Sequence, residues 1–573
     1  MPTARTAADG RNPGRATVGG TSPENSRVGS RAFIGDARRV LVLVLLVSVT
    51  AFTSKSRAAD VPDFQRDVRP LLSDRCLACH GPDEHERQAD LRLDQPASLT
   101  ADRDGLRVVV PGDPDASELI IRVTSDDESL VMPPPESGKT LSDEEIGILR
   151  RWIASGAEMT THWAYVPPER HPAPTPKRSN WSSNWIDDFI LHRLETEGLH
   201  PSPDADTVTL IRRLYFDLTG LPPSPQDLET WTARFESGSR DDTVEELVDD
   251  LLSTDACAER LAMYWLDLVR YADTVGYHGD QDHNISPYRD WVIDAFATNM
   301  PFDQFTREQL AGDLLPGSDI DQKIATGYNR LLQTSHEGGV QPKEYLAIYA
   351  ADRVRNVSAV WMGATLGCAQ CHDHKYDPYT SKDFYSLAAF FADVDEAQHF
   401  KIGSNSLPTA RPPEIKVHTR RERARLSKLE QQLAEADRLL EMRPDDSELI
   451  DQRKQLGFAI EDLNAAKRTT MVTVSIEPRE MRILPRGNWL DDSGEIVRPA
   501  VPAFLASFRQ ESGSAESGSS ATGSQSRETD RLTRLDLANW LTDPENGTGL
   551  LTARLRQPLL VPAVRPWHFS VTR

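Results

Sequence analysis

Two pentapeptides carry the chemistry of this chain: Cys76-Leu-Ala-Cys79-His80 and Cys368-Ala-Gln-Cys371-His372. Both have the spacing of a c-type haem attachment site. Each thiol adds across one haem vinyl group, and the histidine that follows is set beneath the iron as proximal ligand. The two motifs use four of the five cysteines in the sequence, so accidental duplication is a poor explanation. Two covalently attached c-type haems are expected, with Cys76, Cys79, Cys368 and Cys371 as anchors and His80 and His372 as iron ligands. The fifth thiol, Cys257, falls on a predicted helix and reads as a plain buried side chain.

The sixth iron ligand decides what such a centre does. Met132 lies downstream of the first motif in Leu130-Val131-Met132-Pro133-Pro134-Pro135. Three prolines exclude helix and hold the chain extended, so the thioether can be laid over the distal face. His/Met ligation raises the potential and closes the coordination sphere, which suits electron transfer. His85 and His162 are the competitors, and His85 reads as a solvated surface residue. At the second motif the following segment is Asp373-His374-Lys375-Tyr376-Asp377-Pro378. His374 is too near His372 to reach the opposite face of the same iron, and it or Lys375 suits a haem propionate. Distal candidates are His283, His278, His336 and Met362. A vacant sixth position would instead admit small-molecule or peroxide chemistry. Asp280, Asp282 and His283 could also form a carboxylate-rich cation site, without the EF-hand pattern. Zinc is the rival use of two C-x-x-C pairs, but the pairs are far apart in the chain and zinc does not require a histidine after each. No serine-hydrolase elbow, phosphate loop or zinc-protease helix motif occurs.

The elements that must position these residues are mainly α-helical. Residues 60–160 read as a small cytochrome-c-like domain. Phe64, Val68, Leu71 and Leu72 share a helical face leading into the first motif, and Ser142 and Glu145 form a capping box for a helix bearing Ile146, Leu149, Trp152 and Ile153. Residues 161–180 are a proline-rich linker. Residues 181–400 form a larger helical domain around the second motif. One helix, capped by Ser182 or Ser183, carries Ile186, Phe189, Ile190 and Leu194. A second carries Leu210, Ile211, Leu214, Tyr215 and Leu218, and a third carries Val244, Leu247, Val248, Leu251 and Leu252. All three stripes read as core. Residues 415–466 predict an antiparallel helical hairpin broken at Arg443-Pro444-Asp445-Asp446. Residues 471–573 read as an incomplete C-terminal domain, with a strand over 471–485, a Ser/Gly-rich linker at 511–529 and one helix at 532–541. The stretch 547–573 has no acidic residue, a shift that reads as a truncation.

At the N-terminus, Arg31, Arg38 and Arg39 precede the apolar run 40–52 and a small-residue site around Ala58 and Ala59, so 1–59 reads as an export signal region. The periplasm or cell envelope follows as the expected location, with membrane contact only through an uncleaved N-terminal anchor. The formal net charge of −23 argues against nucleic acid or an anionic membrane surface as a partner; it reads first as a solvated acidic surface and would also suit a basic partner, the redox partner being unidentified.

At this point the chain resembles the multidomain cytochrome-c-like proteins of planctomycetes: an N-terminal planctomycete-type cytochrome c domain, a haem-motif domain of unknown function and a C-terminal domain of unknown function. The first domain matches through Phe64 to Cys76-Leu-Ala-Cys79-His80-Gly81, and through Val131-Met132-Pro133-Pro134 to Trp152-Ile153. The second matches through Trp185-Ile186-Asp187, Asp217-Leu-Thr-Gly-Leu-Pro-Pro223, Tyr288-Arg-Asp-Trp291, Gln309-Leu-Ala-Gly-Asp-Leu-Leu-Pro316 and Leu366-Gly-Cys368-Ala-Gln-Cys371-His372. Pro485-Arg486-Gly487-Asn-Trp489 and Leu535-Asp-Leu-Ala-Asn-Trp540 mark the start of the third. The resemblance implies haem binding and an envelope setting, and supplies no substrate. An exported dihaem electron carrier is the leading expectation. A haem-dependent oxidoreductase or peroxidase-like enzyme at the second haem and an envelope scaffold with structural haem are the alternatives.

Overall fold

The polypeptide up to the first haem motif is helical because its apolar residues recur at helical spacing and a carboxylate caps the start. In the computed structural model, which describes residues 61–83, 86–160, 171–177, 181–276, 280–334, 341–398, 410–505 and 531–543, the Asp63 carboxylate accepts the Arg66 amide at 2.7 Å. A π-helical turn, Phe64–Val68, then runs into Arg69–Arg75, with Pro70 in the first turn where its missing N–H costs nothing. Phe64, Val68, Leu71 and Leu72 face inward as expected and meet the helix Asp143–Ala154. The Ser142–Glu145 capping box is present, and Gly156 ends that segment at φ 112°. Trp152 is fully buried, its ring centroid 5.7 Å from that of Phe64 and its indole N–H donating to the Glu158 carbonyl at 3.0 Å. The regions 1–59 and 511–529 and most of 161–180 lie outside the described residues.

The next helices are Trp185–Thr196, Thr207–Thr219, Pro225–Ser237 and Arg240–Leu252. The last three enclose a small core of Leu210, Ile211, Leu214, Trp231, Val244, Leu247, Val248 and Leu251, so two of the three predicted stripes are buried. The helix Trp185–Thr196 differs from expectation twice. Its cap is Asn184, whose side chain accepts from Ile186 and Asp187, not a serine. Its only buried residue is Leu191, while Phe189 and Ile190 are exposed. Apolar residues occur around most of this helix, so periodicity alone did not choose a face.

The main core collects Trp265, Tyr288, Trp291, Phe305, Tyr328, Trp361, Phe384 and Phe391. A buried amide organises its centre: Gln309 Oε1 accepts from Trp265 Nε1 at 2.9 Å and from the Tyr288 hydroxyl at 2.6 Å, while its Nε2 donates to the Phe305 carbonyl. Close packing explains Gly312 three residues on, since a β-carbon there would sit 2.2 Å from the Gln322 carbonyl oxygen. The helix Pro342–Val357 leads into the second haem motif, and Ser381–Ala389 leads away from it.

The helical hairpin consists of Arg420–Met442 and Ser447–Ala465. It is closed at its base by the antiparallel strands Glu414–Val417 and Arg468–Met471, with Glu414 opposite Met471 and Val417 opposite Arg468. Ala436 and Leu463 are its buried residues, so the hairpin projects from the body. The strand expected over 471–485 is present only in pieces: Arg468–Met471 pairs with Glu414–Val417, Met481–Arg482 pairs antiparallel with Ile496–Val497, and between them an isolated bridge joins Val394 to Ser475. In that interval the Ile476 and Arg479 amides donate to the Asp393 and Ala392 carbonyls and the Val474 carbonyl accepts from the Asp395 amide, in place of a regular ladder.

Described parts of the C-terminal third join this same core through Met471, Val497, Leu505, Leu537, Ala538 and Leu541. The fully buried Arg534 forms ion pairs with Asp313 at 2.8 Å and Asp393 at 2.9 Å. Replacing Arg534 by Ala strands two carboxylates in low dielectric and should cost about 3–5 kcal/mol. Equilibrium urea denaturation of the full chain measures this; a loss below about 1 kcal/mol would mean that the helix Arg534–Thr542 is not docked on the core.

Candidate haem sites

Each C-x-x-C-H motif folds as one helical turn closed on its first cysteine. At the first, the Cys79 and His80 amides donate to the Cys76 carbonyl at 3.2 and 2.9 Å; at the second, Cys371 and His372 donate to the Cys368 carbonyl at 3.2 and 3.5 Å. The turn presents the two thiols and the imidazole together. Cys79, Cys368 and Cys371 are exposed, and Cys76 is half-buried, its thiol pushed up to about 12 by burial. Gly81 is required after the first motif because a β-carbon there would meet the Leu77 carbonyl oxygen at 2.2 Å. Arg87 fixes the following loop by donating to the Gly81 and Pro82 carbonyls, each at 3.0 Å.

The two histidines are prepared differently. Burial lowers the pKa of His80, opposed by the Gln88 backbone, so the ring is neutral at pH 7. Its Nδ1 is buried without a hydrogen-bond partner. His372 donates Nδ1–H to the Asp373 carbonyl at 2.7 Å, which fixes the tautomer and leaves the Nε2 lone pair for a metal. Paired thiols beside an imidazole with a free ring nitrogen are the donor set that covalent haem requires, and both motifs fit the group.

Met132 is half-buried, and its backbone N–H donates to the Arg122 carbonyl at 3.1 Å. Arg122 and Arg103 both act electrostatically on His80. His374 is buried, and its Nδ1 accepts the Asp377 and Tyr376 amides at 2.7 and 3.2 Å. Its role is therefore to pin the loop after the second motif. Of the distal candidates for that motif, His278 and His336 lie outside the described residues, as do His85 and His162. Met362 packs in the main core. His283 is buried and donates Nε2–H to the Ala272 carbonyl at 2.8 Å; its electrostatic neighbours are Arg411, Asp273 and Asp282, none of them from the second motif. Among the described residues no three His, Cys, Asp or Glu side chains are grouped to hold a metal ion, whether at Asp280, Asp282 and His283 or as four thiols around zinc.

The folded chain brings the two motifs' surroundings together. The Arg69 guanidinium, on the helix entering the first motif, donates to the Tyr376 carbonyl just past the second. Arg92 pairs with Asp94 at 2.6 Å and reaches Asp373, the residue after His372, at 4.0 Å. Arg486 pairs with Asp83, three residues after His80, at 2.7 Å. Next to it, Gly487 at φ 71° lies so close to the second motif that a β-carbon would be 3.0 Å from Cys371 Sγ. Sequence reasoning missed Arg69, Arg92, Asp83 and Gly487 as site residues. No local pattern marks Arg69, Arg92 and Asp83, whose partners are distant in the chain, and the family segment that contains Gly487 does not reveal its contact with Cys371.

Residues 76–136 match the planctomycete cytochrome C family, and residues 185–396 match a protein of unknown function (DUF1549). The two matches, in this order, are those expected of a multidomain planctomycete cytochrome-c-like protein. The first matched domain suggests a haem-binding cytochrome and implies covalently bound haem. No curated protein and no solved structure matches it.

The thiols are predicted to react unequally before haem is attached. With its pKa near 12, only about one Cys76 thiol in ten thousand is ionised at pH 8. In the haem-free chain, timed alkylation with iodoacetamide at pH 8 and peptide mass spectrometry should label Cys76 about a hundredfold or more slowly than Cys79. Equal rates would show that Cys76 is not held in its buried setting.

Proposed function

We propose that this chain is an exported dihaem c-type cytochrome that passes single electrons between two adjacent centres in the cell envelope. The observation that carries the reading is the contact between the two motif regions through Arg69 and Tyr376, Arg92 and Asp373, and Arg486 and Asp83. Electron transfer needs fixed ligands, burial and close approach of the two cofactors, and a shared interface provides the approach. Cys76, Cys79, His80 and Met132 would hold the first haem, and Cys368, Cys371 and His372 the second. When bound, the iron would supply reversible one-electron chemistry. Arg69, Arg92 and Arg486 place cationic groups between the two motif regions. A basic redox protein of the same compartment is the partner that the net charge of −23 favours.

A second reading, substrate chemistry at the second haem, has one specific support. A cavity of about 490 Å³ adjoins the motif at Gln370 and is walled by Tyr385, Phe384, Met481, Arg482 and Trp489. The two readings differ at the iron. An electron carrier gives two low-spin, six-coordinate haems; the enzyme gives high-spin iron at the second site that binds carbon monoxide.

The test is the protein exported from a host able to attach haem. Pyridine haemochrome should count two haems per chain, and low-temperature EPR should show both low-spin. Met132→Ala should lower the potential of one haem by on the order of 0.1 V or more and leave the other unchanged, since axial ligands set potential over about 0.8 V. An unshifted potential would remove Met132 from the site. Replacing both Cys368 and Cys371 by Ser should halve the haem count and leave the first centre reducible; a count still at two would end the dihaem reading.

A further inference from the structure

Among the described residues four arginines are buried, and three have their donors satisfied. Arg353 pairs with Glu396 and donates to the Asn329 carbonyl, Arg534 pairs with Asp313 and Asp393, and Arg330 donates to the carbonyls of Asp395, Arg411 and Pro412. Arg411 is the exception. It is 1% exposed, yet its Nε and Nη1 have no hydrogen-bond partner, and its Nη2 has only the Gln281 amide oxygen at 3.5 Å. No carboxylate among the described residues pairs with it. Glu414, the nearest acidic group, turns one oxygen to the backbone N–H of Arg411 at 2.8 Å and shares both with the Asn284 amide at 3.4 Å. Arg330 beside it has the same sign, and Tyr349 supplies only a hydroxyl. Burial pulls the pKa of Arg411 down to about 10, which leaves it charged at pH 7. A buried cation whose N–H donors go unpaired is among the costliest groups a fold can retain, and Arg353 and Arg534 show that this core matches such charges with carboxylates.

Two residues from Gln281, His283 shows the complementary deficit. It is 8% exposed and donates Nε2–H to the Ala272 carbonyl, so its Nδ1 carries a lone pair, and that atom too is buried without a partner. Arg411 acts on this ring electrostatically. The two side chains therefore offer cationic N–H donors and one neutral acceptor, and the adjoining Gln281 and Pro412 are only half-buried.

We propose that Arg411 and His283 form a binding site for a small hydroxylated oxyanion, its charged oxygens on the Arg411 guanidinium and its O–H donating to His283 Nδ1. The chemical class is a 2-hydroxycarboxylate or a hydrogen phosphate, both of which combine a negative oxygen with a hydroxyl donor. The site lies apart from both haem motifs and does not depend on how the haems function.

The test titrates the haem-loaded full chain with glycolate, acetate and inorganic phosphate by calorimetry, with the Soret band recorded in parallel. Glycolate should bind about tenfold or more tightly than acetate, because acetate leaves His283 Nδ1 unsatisfied. The Soret band should not move, and at a hundredfold excess over Kd the melting temperature should rise by about 3 °C or more. Arg411→Lys, which keeps the charge but loses the planar fork, should weaken binding at least about tenfold. Arg411→Met should abolish it while melting no lower than the parent chain in anion-free buffer, since it removes an unmatched charge. Failure of all three probes to bind at millimolar concentration would overturn the proposal, as would unchanged affinity in the Lys variant or a lower melting temperature of the Met variant. Equal affinities for glycolate and acetate would remove His283 from the site.

Discussion

The main core depends on matching charges that cannot escape to water. Arg353 and Glu396 are each only 2% exposed at the side chain, and Arg534 is completely enclosed between Asp313 and Asp393. Burial alone would raise the Glu396 carboxyl, but Arg353 and Arg330 together hold it below the ordinary carboxylate value. An arrangement that mislays either partner leaves an isolated charge in low dielectric, worth about 3–5 kcal/mol, a large share of a protein's total stability. Apolar packing tolerates rearrangement more readily, since volume-conserving swaps cost little. The ion pairs therefore specify which segments meet. They also clamp the second haem loop: Arg353 lies on the helix that enters it, and Asp393 and Glu396 follow the helix that leaves it. The loop carrying Cys368, Cys371 and His372 is suspended between two buried charge pairs.

Much of the helical plan was legible because it is written locally. The capping box at Ser142 and Glu145, the left-handed glycines at 156 and 220, and the stripes of Leu210 and Val244 all follow from residues within a turn or two of each other. The same holds for the break in the hairpin, where Pro444 and two aspartates interrupt the helix and Asp446 caps the next. Legibility failed where the deciding partner is distant. The helix at Trp185 is apolar on several sides, and only tertiary packing selected Leu191. Segment 471–485 has strand-like alternation, yet only Met471 and Met481–Arg482 are paired in strands, because the backbone groups of Val474, Ile476 and Arg479 bond to the loop at 391–395. The family segments Tyr288 to Trp291 and Gln309 to Pro316 gain a physical meaning only in three dimensions: Tyr288 and Gln309 share one hydrogen-bond network, Asp313 receives Arg534, and Gly312 admits a neighbouring carbonyl.

At the candidate sites, the thiols and proximal histidines were readable because covalent chemistry imposes a fixed local spacing. Their environment was not. His372 has its tautomer set by a carbonyl one residue away, whereas His80 depends on segments arriving from 88, 103 and 122. A distal ligand is harder still, since any flexible loop can deliver one, and the sequence could only rank Met132 by its proline context.

The interface between the two motifs is built from weak links. Arg92 and Asp373 are 4.0 Å apart and partly exposed, and the Arg486–Asp83 pair is also open to solvent. Pairs of this kind contribute about 0–1 kcal/mol each and fade as salt is raised. The deep pairs of the core, by contrast, are shielded from mobile ions. The protein thus spends its strong interactions on holding the second loop within its own domain and its weak ones on joining that loop to the first. Such a division makes the approach of the two motifs the most adjustable dimension of the molecule. Porphyrin is largely apolar surface, and burying it at this seam would bring a contribution proportional to area at about 25 cal/mol per Å², which a few exposed ion pairs cannot equal. The charged groups at the seam then set register, and haem bound there would add adhesion.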